Sequence, residues 1–576
     1  MGGSQSSLNG YKIQRETKNA FIVTKEDDTY LLKKIDLKKI PRAAVSALTN
    51  EMEILKEASH PHIVSFKNSV RDEHNKVYYI VMDYCQGGDF AIKVKEKSEE
   101  SEVLSWIAEI CIALRYIHEK GLLHKCLKPE NIFLTEFGSV CLSDFGKAYE
   151  NSKTTDASLQ EMSYLPPELF TKGTYDAKSD IWSLGCIIYE ICTQKPAFTA
   201  ETTIKLMPKL IHGPHPCLPE TFSPELRQLV IDIFNTDPQS RPTASEILEC
   251  PFIINCLSNK CKTTVDDLQI KLVTLREVAD SLERVHQGTT IGSLTGGVIG
   301  AVGGITSIVG LILTPFTFGA SLIVTGVGVG VGALGGLTAG ASNVTNMVNQ
   351  ASDRKAVRSI IKYFEHKTKL VVTWLQEIGH SLHNIRSRYA STDTLHTENN
   401  QFSAHNLAKA GRVGRGLVGL SELTRLIQVI NVGRIAAQAS RVVRVAEVAT
   451  GVFSGLFIAV DIFFIAMDAR EIHHIKQAQA AGEGAASEAG DNISTSSVMQ
   501  EHNSDTSQEQ GQSSRNATQV RSEIMRFVQS IRQAADDLQR VLNELKDIIS
   551  SLPSIGSEGD EGWSDMELVQ PKGSLK

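Results

Sequence analysis

Cysteine is absent from more than half of this 576-residue chain: all 10 lie between Cys85 and Cys261. They form neither paired C-x-x-C spacings nor the dense framework of small secreted domains. That excludes a structural zinc site and a disulfide scaffold, and points to reduced thiols in a cytosolic compartment. A leading apolar run is missing as well, since Met1 to Gly10 is polar; no secretion signal is expected, and the N terminus should face cytosol. Basic excess is missing too. With 59 Lys+Arg against 66 Asp+Glu the net charge is -7, which excludes a global nucleic-acid binder, because phosphate binding needs a basic surface. Glycine is missing between Gly10 and Gly87, and Asp, Glu, Lys and Arg are missing from Val285 to Ser352, in a chain of which 22% is charged. The averages, 41% apolar with a mean hydropathy of -0.11, describe an ordinary soluble protein of several domains. They conceal two unlike halves.

In the first half, residues 11–75 alternate short β-type runs, Ala20 to Val23 and Tyr30 to Ile35, with a helical pattern around Ala44 to Lys56. Val77 to Tyr84 is an apolar run ended by Gly87-Gly88, a strand closed by a glycine turn. From Ser98 the spacing of Val103, Leu104, Ile107, Ile110, Leu114 and Ile117 is helical, as is most of the chain to Ile253. A small β-rich lobe and a larger α-rich lobe are therefore predicted for 11–253, after an N-terminal arm at 1–10. A helical domain is predicted for 254–476, with amphipathic helices at 262–284 and 354–390. Ser403 to Val448 carries seven basic residues against two acidic ones, and the apolar run Ala449 to Met467 follows. Residues 477–518 hold too few large apolar side chains to offset chain entropy and read as a disordered insert. A closing amphipathic helix spans 519–552 on a seam that includes Phe527, Ile531, Leu538 and Leu545, and 553–576 is an acidic tail.

The chemistry-bearing residues of the first half fall in one order. Lys33 stands in YLLKKID, Glu51 in NEMEIL, and Met82, Asp83 and Cys85 in VMDYCQGGD. Then come HKCLKPEN (His124 to Asn131), Asp144-Phe145-Gly146, Pro166-Pro167-Glu168, Asp180-Ile181-Trp182-Ser183-Leu184-Gly185, and Arg241 in SRPTA. Each is weak alone; the ordered set is specific. Residues 11–253 resemble a eukaryotic Ser/Thr protein kinase domain, with wording most like the NIMA-related kinases. The resemblance implies an α+β bilobal fold with ATP and Mg²⁺ as cofactors. Lys33 would hold the α- and β-phosphates, oriented by Glu51, and Asn131 and Asp144 would ligate the metal. Lys128 would face the γ-phosphate, Met82 would be the gatekeeper, Asp83 to Cys85 would meet adenine, and Glu168 with Arg241 would form a structural ion pair.

The departures cut against turnover. Without glycine between Gly10 and Gly87 no G-x-G-x-x-G loop precedes Lys33, so backbone cannot approach the phosphates closely there. Cys126 occupies the place of the catalytic aspartate, and a free thiol with a pKa of about 8.5 is a poor substitute for a fixed anion. Lys125 stands where arginine usually pairs with a phosphorylated activation segment, and lysine offers only a point charge. Glu161 replaces the threonine usual before the P+1 loop. The expectation is a pseudokinase with weak or absent nucleotide binding, acting through an unidentified protein partner. Ser152, Thr154, Thr155 and Ser158 offer sites to an upstream kinase, or belong to a merely flexible loop.

In the second half, Ile291 to Leu313 and Phe318 to Gly340 are uncharged runs long enough to cross a ~30 Å hydrocarbon core, broken around Pro315. Gly292, Gly296, Gly300 and Gly304 repeat every four residues in the first run, and Gly328, Gly332, Gly336 and Gly340 in the second. Folded back at Phe316, the two stripes lie at matching depth, the geometry that lets helices approach closely in lipid. Two readings stand: a membrane hairpin at 291–340, or a hairpin buried in a soluble bundle. Residues 268–476 and 519–552 resemble the apolipoprotein L family through ILTPFTFGASLIVTGVGVGVG, VDIFFIAMDAREIHHI and IRQAADDLQRVLNELKDI. That resemblance implies an all-α, lipid-binding domain able to insert into membranes. Asp461 and Asp468, within and just after the later apolar run, either couple insertion to acid pH or face a polar side of a soluble helix. Met1-Gly2-Gly3-Ser4-Gln5-Ser6 fits the N-myristoylation signal at Gly2, and one acyl chain needs a second membrane element. The sequence reading is thus a cytoplasmic, membrane-associated fusion whose partners are membrane lipids. Its alternatives are an active Ser/Thr kinase targeted to membranes and a membrane-permeabilising effector capped by a passive kinase fold.

Overall fold

The computed structural model describes residues 10–17, 20–25, 28–39, 42–57, 59–72, 74, 76–143, 158–292, 342–393, 432–488 and 506–553. Gly2, Asp144, Thr154, Thr155, Pro315, the glycines from Gly296 to Gly340 and the acidic tail beyond 553 lie outside the described residues. The chain divides into two compact units. One comprises Met1–Cys261, Thr373–Ala439 and Ile549–Lys576; the other comprises Lys262–Val372 and Ser440–Ile548.

The first unit begins with strands β1 (Lys12–Glu16), β2 (Ala20–Lys25) and β3 (Asp28–Asp36), helix α1 (Arg42–Glu57), and strands β4 (Phe66–Asp72) and β5 (Val77–Asp83). They form an antiparallel sheet in the order β1-β2-β3-β5-β4. Tyr11, Val23, Leu32 and Val81 are its buried face, joined by Phe21, Tyr30 and Tyr79. Gly87 follows β5 and donates its N–H to the Leu134 carbonyl at 3.0 Å. A Cβ there would stand 2.7 Å from the Leu134 and Thr135 carbonyl oxygens, so only glycine admits this approach.

Helix α2 (Glu100–Glu119) starts with Glu100 and Glu102 at its positive end and buries Val103, Ile107, Ile110, Leu114 and Ile117. The hairpin β6 (Ile132–Leu134) and β7 (Val140–Leu142) crosses beside it. Short helices α3 (Leu159–Met162) and α4 (Pro167–Thr171) lead to α5 (Ala177–Thr193), which Asp176 caps through its side chain. Helices α6 (Thr203–His212), α7 (Pro224–Ile233) and α8 (Ala244–Leu248) complete this helical lobe. Its centre is Trp182, stacked on Phe198 at 5.5 Å and edge-on to Phe234 at 5.2 Å.

Among the described residues four long helices follow: α9 (Pro251–Gly292), α10 (Ser342–Asp393), α11 (Val432–Glu488) and α12 (Thr506–Ser550). In the second unit their apolar faces meet through Leu268 and Leu272, Phe364, Phe453 and Val460, and Val528 and Leu538, all buried. Phe463 stacks on Phe527 at 4.3 Å. Asp461 is held by Arg354 at 3.0 Å and Arg358 at 2.6 Å, so this carboxylate of the apolar run answers two arginines of α10.

Of the stretch 477–518, expected to be disordered, the ends fall in helices, since α11 continues to Glu488 and α12 begins at Thr506, while 489–505 lies outside the described residues. Poverty in large side chains removes a core but not helix propensity, and Ala, Glu and Gln extend a helix already nucleated on packed residues. Helix α9 runs without a break through 253/254, where the expected boundary lies.

Candidate active site

The segment His124 to Asn131 is held from beneath by one carboxylate. Asp180, fully buried on α5, accepts the backbone N–H of His124 at 2.9 Å, that of Lys125 at 3.0 Å and the Tyr175 hydroxyl at 2.7 Å. His118 Nε2 lies 2.8 Å from its other side. Burial by itself would raise the Asp180 pKa, but hydrogen bonds from His118 and Tyr175 and the charge of nearby histidines hold it below the usual carboxylate value. Lys125 takes a left-handed backbone, φ 64°, a strain that the two bonds to Asp180 hold in place.

The expected reactive residues gather here in part. Asn131, almost fully buried, donates its amide to the Cys126 carbonyl at 2.7 Å and to Cys126 Sγ at 3.2 Å. Its backbone carbonyl accepts from Ser143 at 3.1 Å, next to the Asp144 position. With the amide hydrogens directed to Cys126, Oδ1 is the atom Asn131 retains for a metal, and an amide oxygen suits hard Mg²⁺. Among the described residues no cluster of three His, Cys, Asp or Glu forms a metal site.

Lys128 does not stand free. Its Nζ pairs with Glu161 Oε1 at 2.7 Å, and this bond, with backbone donation from Ser158, holds Glu161 below the usual carboxylate range. Glu161 is fixed independently by a reciprocal cap with Ser158 at the start of α3. The glutamate in the threonine's place thus delivers a negative charge to the lysine assigned to the γ-phosphate.

Lys33 is half-buried on β3 opposite Ala20 and Ile80, and Glu51 is half-buried on α1. Met82 pairs with Leu31 and Phe66 across the sheet and accepts from Ser143 Oγ at 3.7 Å. The Asp83 N–H is committed to the Ser65 carbonyl at 3.0 Å. Cys85 is half-buried. Where a glycine-rich loop would lie, Thr17 donates from both its N–H and its hydroxyl to the Ala20 carbonyl at 2.8 Å, joining the end of β1 to the start of β2.

Glu168 and Arg241 form a buried bidentate pair, with both nitrogen–oxygen distances 2.8 Å. Ser179 donates to Glu168 at 2.7 Å, Arg241 Nε donates to the Asn235 carbonyl at 2.8 Å, and the guanidinium lies 4.8 Å from the Trp182 ring centre. Sequence reasoning did not assign Asp180, His118 and Tyr175 to the site. The aspartate opening DIWSLG was the available signal; the other two carry none without the fold.

A five-stranded lobe, a helical lobe and a carboxylate-supported loop between them define the protein kinase fold. The protein kinase domain family matches residues 19–253 and the apolipoprotein L family matches residues 261–485. The first region is 37% identical over 237 residues to serine/threonine-protein kinase Nek1 of Mus musculus, covering 40% of this chain and 20% of that one. It is 34% identical over 273 residues to mouse Nek4, covering 45% and 34%, and 38% identical over 250 residues to a probable Nek3 of Dictyostelium discoideum, covering 41% and 22%. The chain spans between a fifth and about a third of the length of these relatives. It therefore joins a kinase domain similar to the NIMA-related kinases to a region similar to apolipoprotein L. The apolipoprotein L match ends before the closing helix. Kinases of this kind use ATP and Mg²⁺.

Proposed function

We propose that this protein is a membrane-associated regulatory module: a kinase fold with little or no phosphotransfer, joined to a lipid-binding helical domain. The observation that carries the first half is the Lys128–Glu161 pair at 2.7 Å. A γ-phosphate would compete with a fixed carboxylate for that lysine, while the family's base is replaced by Cys126. Support for the second half comes from the apolipoprotein L likeness and from Gly433–Ala466, a helical stretch long and apolar enough to cross a membrane, within which an 18-residue window has mean hydropathy 2.2. Myristoylation at Gly2 would add the second anchor.

An active membrane-targeted kinase is the second reading. It is favoured by the loop support at Asp180 and the Glu168–Arg241 pair, both of which an active enzyme needs. Labelled ATP, Mg²⁺ and a generic Ser/Thr peptide separate the two when given to the full chain and to its Lys33→Ala variant. Equal background incorporation is expected; incorporation that Lys33→Ala abolishes would overturn the regulatory reading.

A further inference from the structure

A helix from the region similar to apolipoprotein L covers the surface of the kinase fold behind β7. Trp374 of α10, 1% exposed, donates its indole N–H to His62 Nε2 at 3.2 Å. His62 must then carry its proton on Nδ1, which donates to the Val140 carbonyl at 2.8 Å. The Val140 N–H in turn donates to buried Glu109 at 2.8 Å, and the His62 carbonyl accepts from Leu142 at 2.9 Å. Lys260 pairs with Glu109 and stands 4.9 Å from the Trp374 ring centre. The Val140 carbonyl, the Val140 N–H and the Leu142 N–H are thus all engaged by His62 or Glu109, and Trp374 fixes the His62 ring.

Further along the same helix face, Glu377 takes a two-pronged contact from Arg115 of α2, through Nε at 2.9 Å and through Nη2. Asn384 and Arg388 reach buried Glu249 at 3.1 and 2.9 Å. Positions 374, 377, 384 and 388 share one helix face. Charges are buried only where a partner meets them, and here the partners come from opposite sides: Glu377 is buried against the kinase fold's arginine, and Glu249 against the tail's. The complementarity is mutual, so each surface is made for the other.

We propose that residues 374–388 act as a built-in regulatory ligand of the kinase fold. This amphipathic helix holds β7 and the His62 crossing from behind, and its detachment frees them. Anything that takes up this face of α10 would then loosen the strand that leads into the candidate metal-binding sequence.

Hydrogen exchange on the full chain tests this. Arg115→Glu and Glu377→Arg should each raise exchange at 60–64 and 139–143 by about tenfold or more, the scale of losing a buried charge-assisted pair. The double swap should restore protection. Trp374→Phe keeps an aromatic ring but deletes the indole N–H together with the pyrrole ring, so it should raise exchange at His62 and β7 without unfolding the unit. Loss of protection confined to 373–388, or a swap no better protected than the worse single variant, would overturn the proposal. Unchanged exchange in Trp374→Phe would overturn it equally.

Discussion

Two adjacent histidines show how much burial alone can decide. His60 stacks on Tyr116 at 4.6 Å, and burial, then the neighbouring His62 and Arg115, push its pKa down to about 3. His62 is fully buried and is lowered chiefly by desolvation, against the opposing pull of Glu109, with Lys260 adding to the fall. Both are neutral in the folded protein and ordinary in the unfolded chain, where histidine titrates near 6.5. Between those values the unfolded state binds more protons, so stability is complete above about pH 6.5 and falls as pH drops through it. At pH 5, His60 alone should withdraw about 2 kcal/mol. Denaturant titrations at pH 7.5 and 5 should show a lower midpoint at the acid pH, and His60→Gln should flatten the difference. Neither histidine was marked by the sequence, because HPHIV carries no sign of what will enclose it. Lys128 and Glu161 were both marked; that they meet was not, since 33 positions separate them.

Helices and strands were largely legible from period alone. The alternation before Lys56, the three- and four-residue steps after Ser98 and the seam of the closing helix all appear as elements of the expected type. Composition alone did not show that α11 extends to Glu488 or that α12 begins at Thr506. The contact between α5 and α7 was not legible. A Cβ on Gly185 would collide with the Ile233 side chain and stand 3.2 Å from Phe234, so the glycine of DIWSLG sets how closely these helices approach. Gly185→Ala should destabilise by about 1–3 kcal/mol, the usual cost of overfilling a close-packed core. Thermal unfolding of the full chain would check it; an unchanged midpoint would show that α7 can yield.

Across the chain, the two units and the two family matches do not share boundaries. Thr373–Ala439, all of it within the region similar to apolipoprotein L, belongs with the kinase fold. On α11, Val443, Val448, Ile458, Ile462 and Ile465 are exposed while Val445, Phe453 and Val460 are buried. The helix thus carries apolar surface beyond what its own unit covers. If it and the charge-free stretch from Val285 to Ser352 engage lipid, the full chain should float with liposomes. Replacing Gly300 and Gly332 together by leucine should weaken that flotation by blocking close helix approach. Undiminished flotation would remove the glycine stripes from the account.

By itself the sequence determined the kinase-type order of Lys33, Glu51, Asn131, Glu168 and Arg241, the loss of glycine before Lys33, the thiol at Cys126 and the uncharged stretch from Val285 to Ser352. These are properties of residue type and spacing, readable in one dimension. Only the tertiary structure decided that Glu161 closes on Lys128, that Asp180 supports the segment from His124 to Asn131 and that Trp374 reaches His62 across 312 positions. The reason is physical. A buried charge or donor is tolerable only when a partner meets it, and that partner is chosen by the packing of distant elements, on which local sequence pattern is silent.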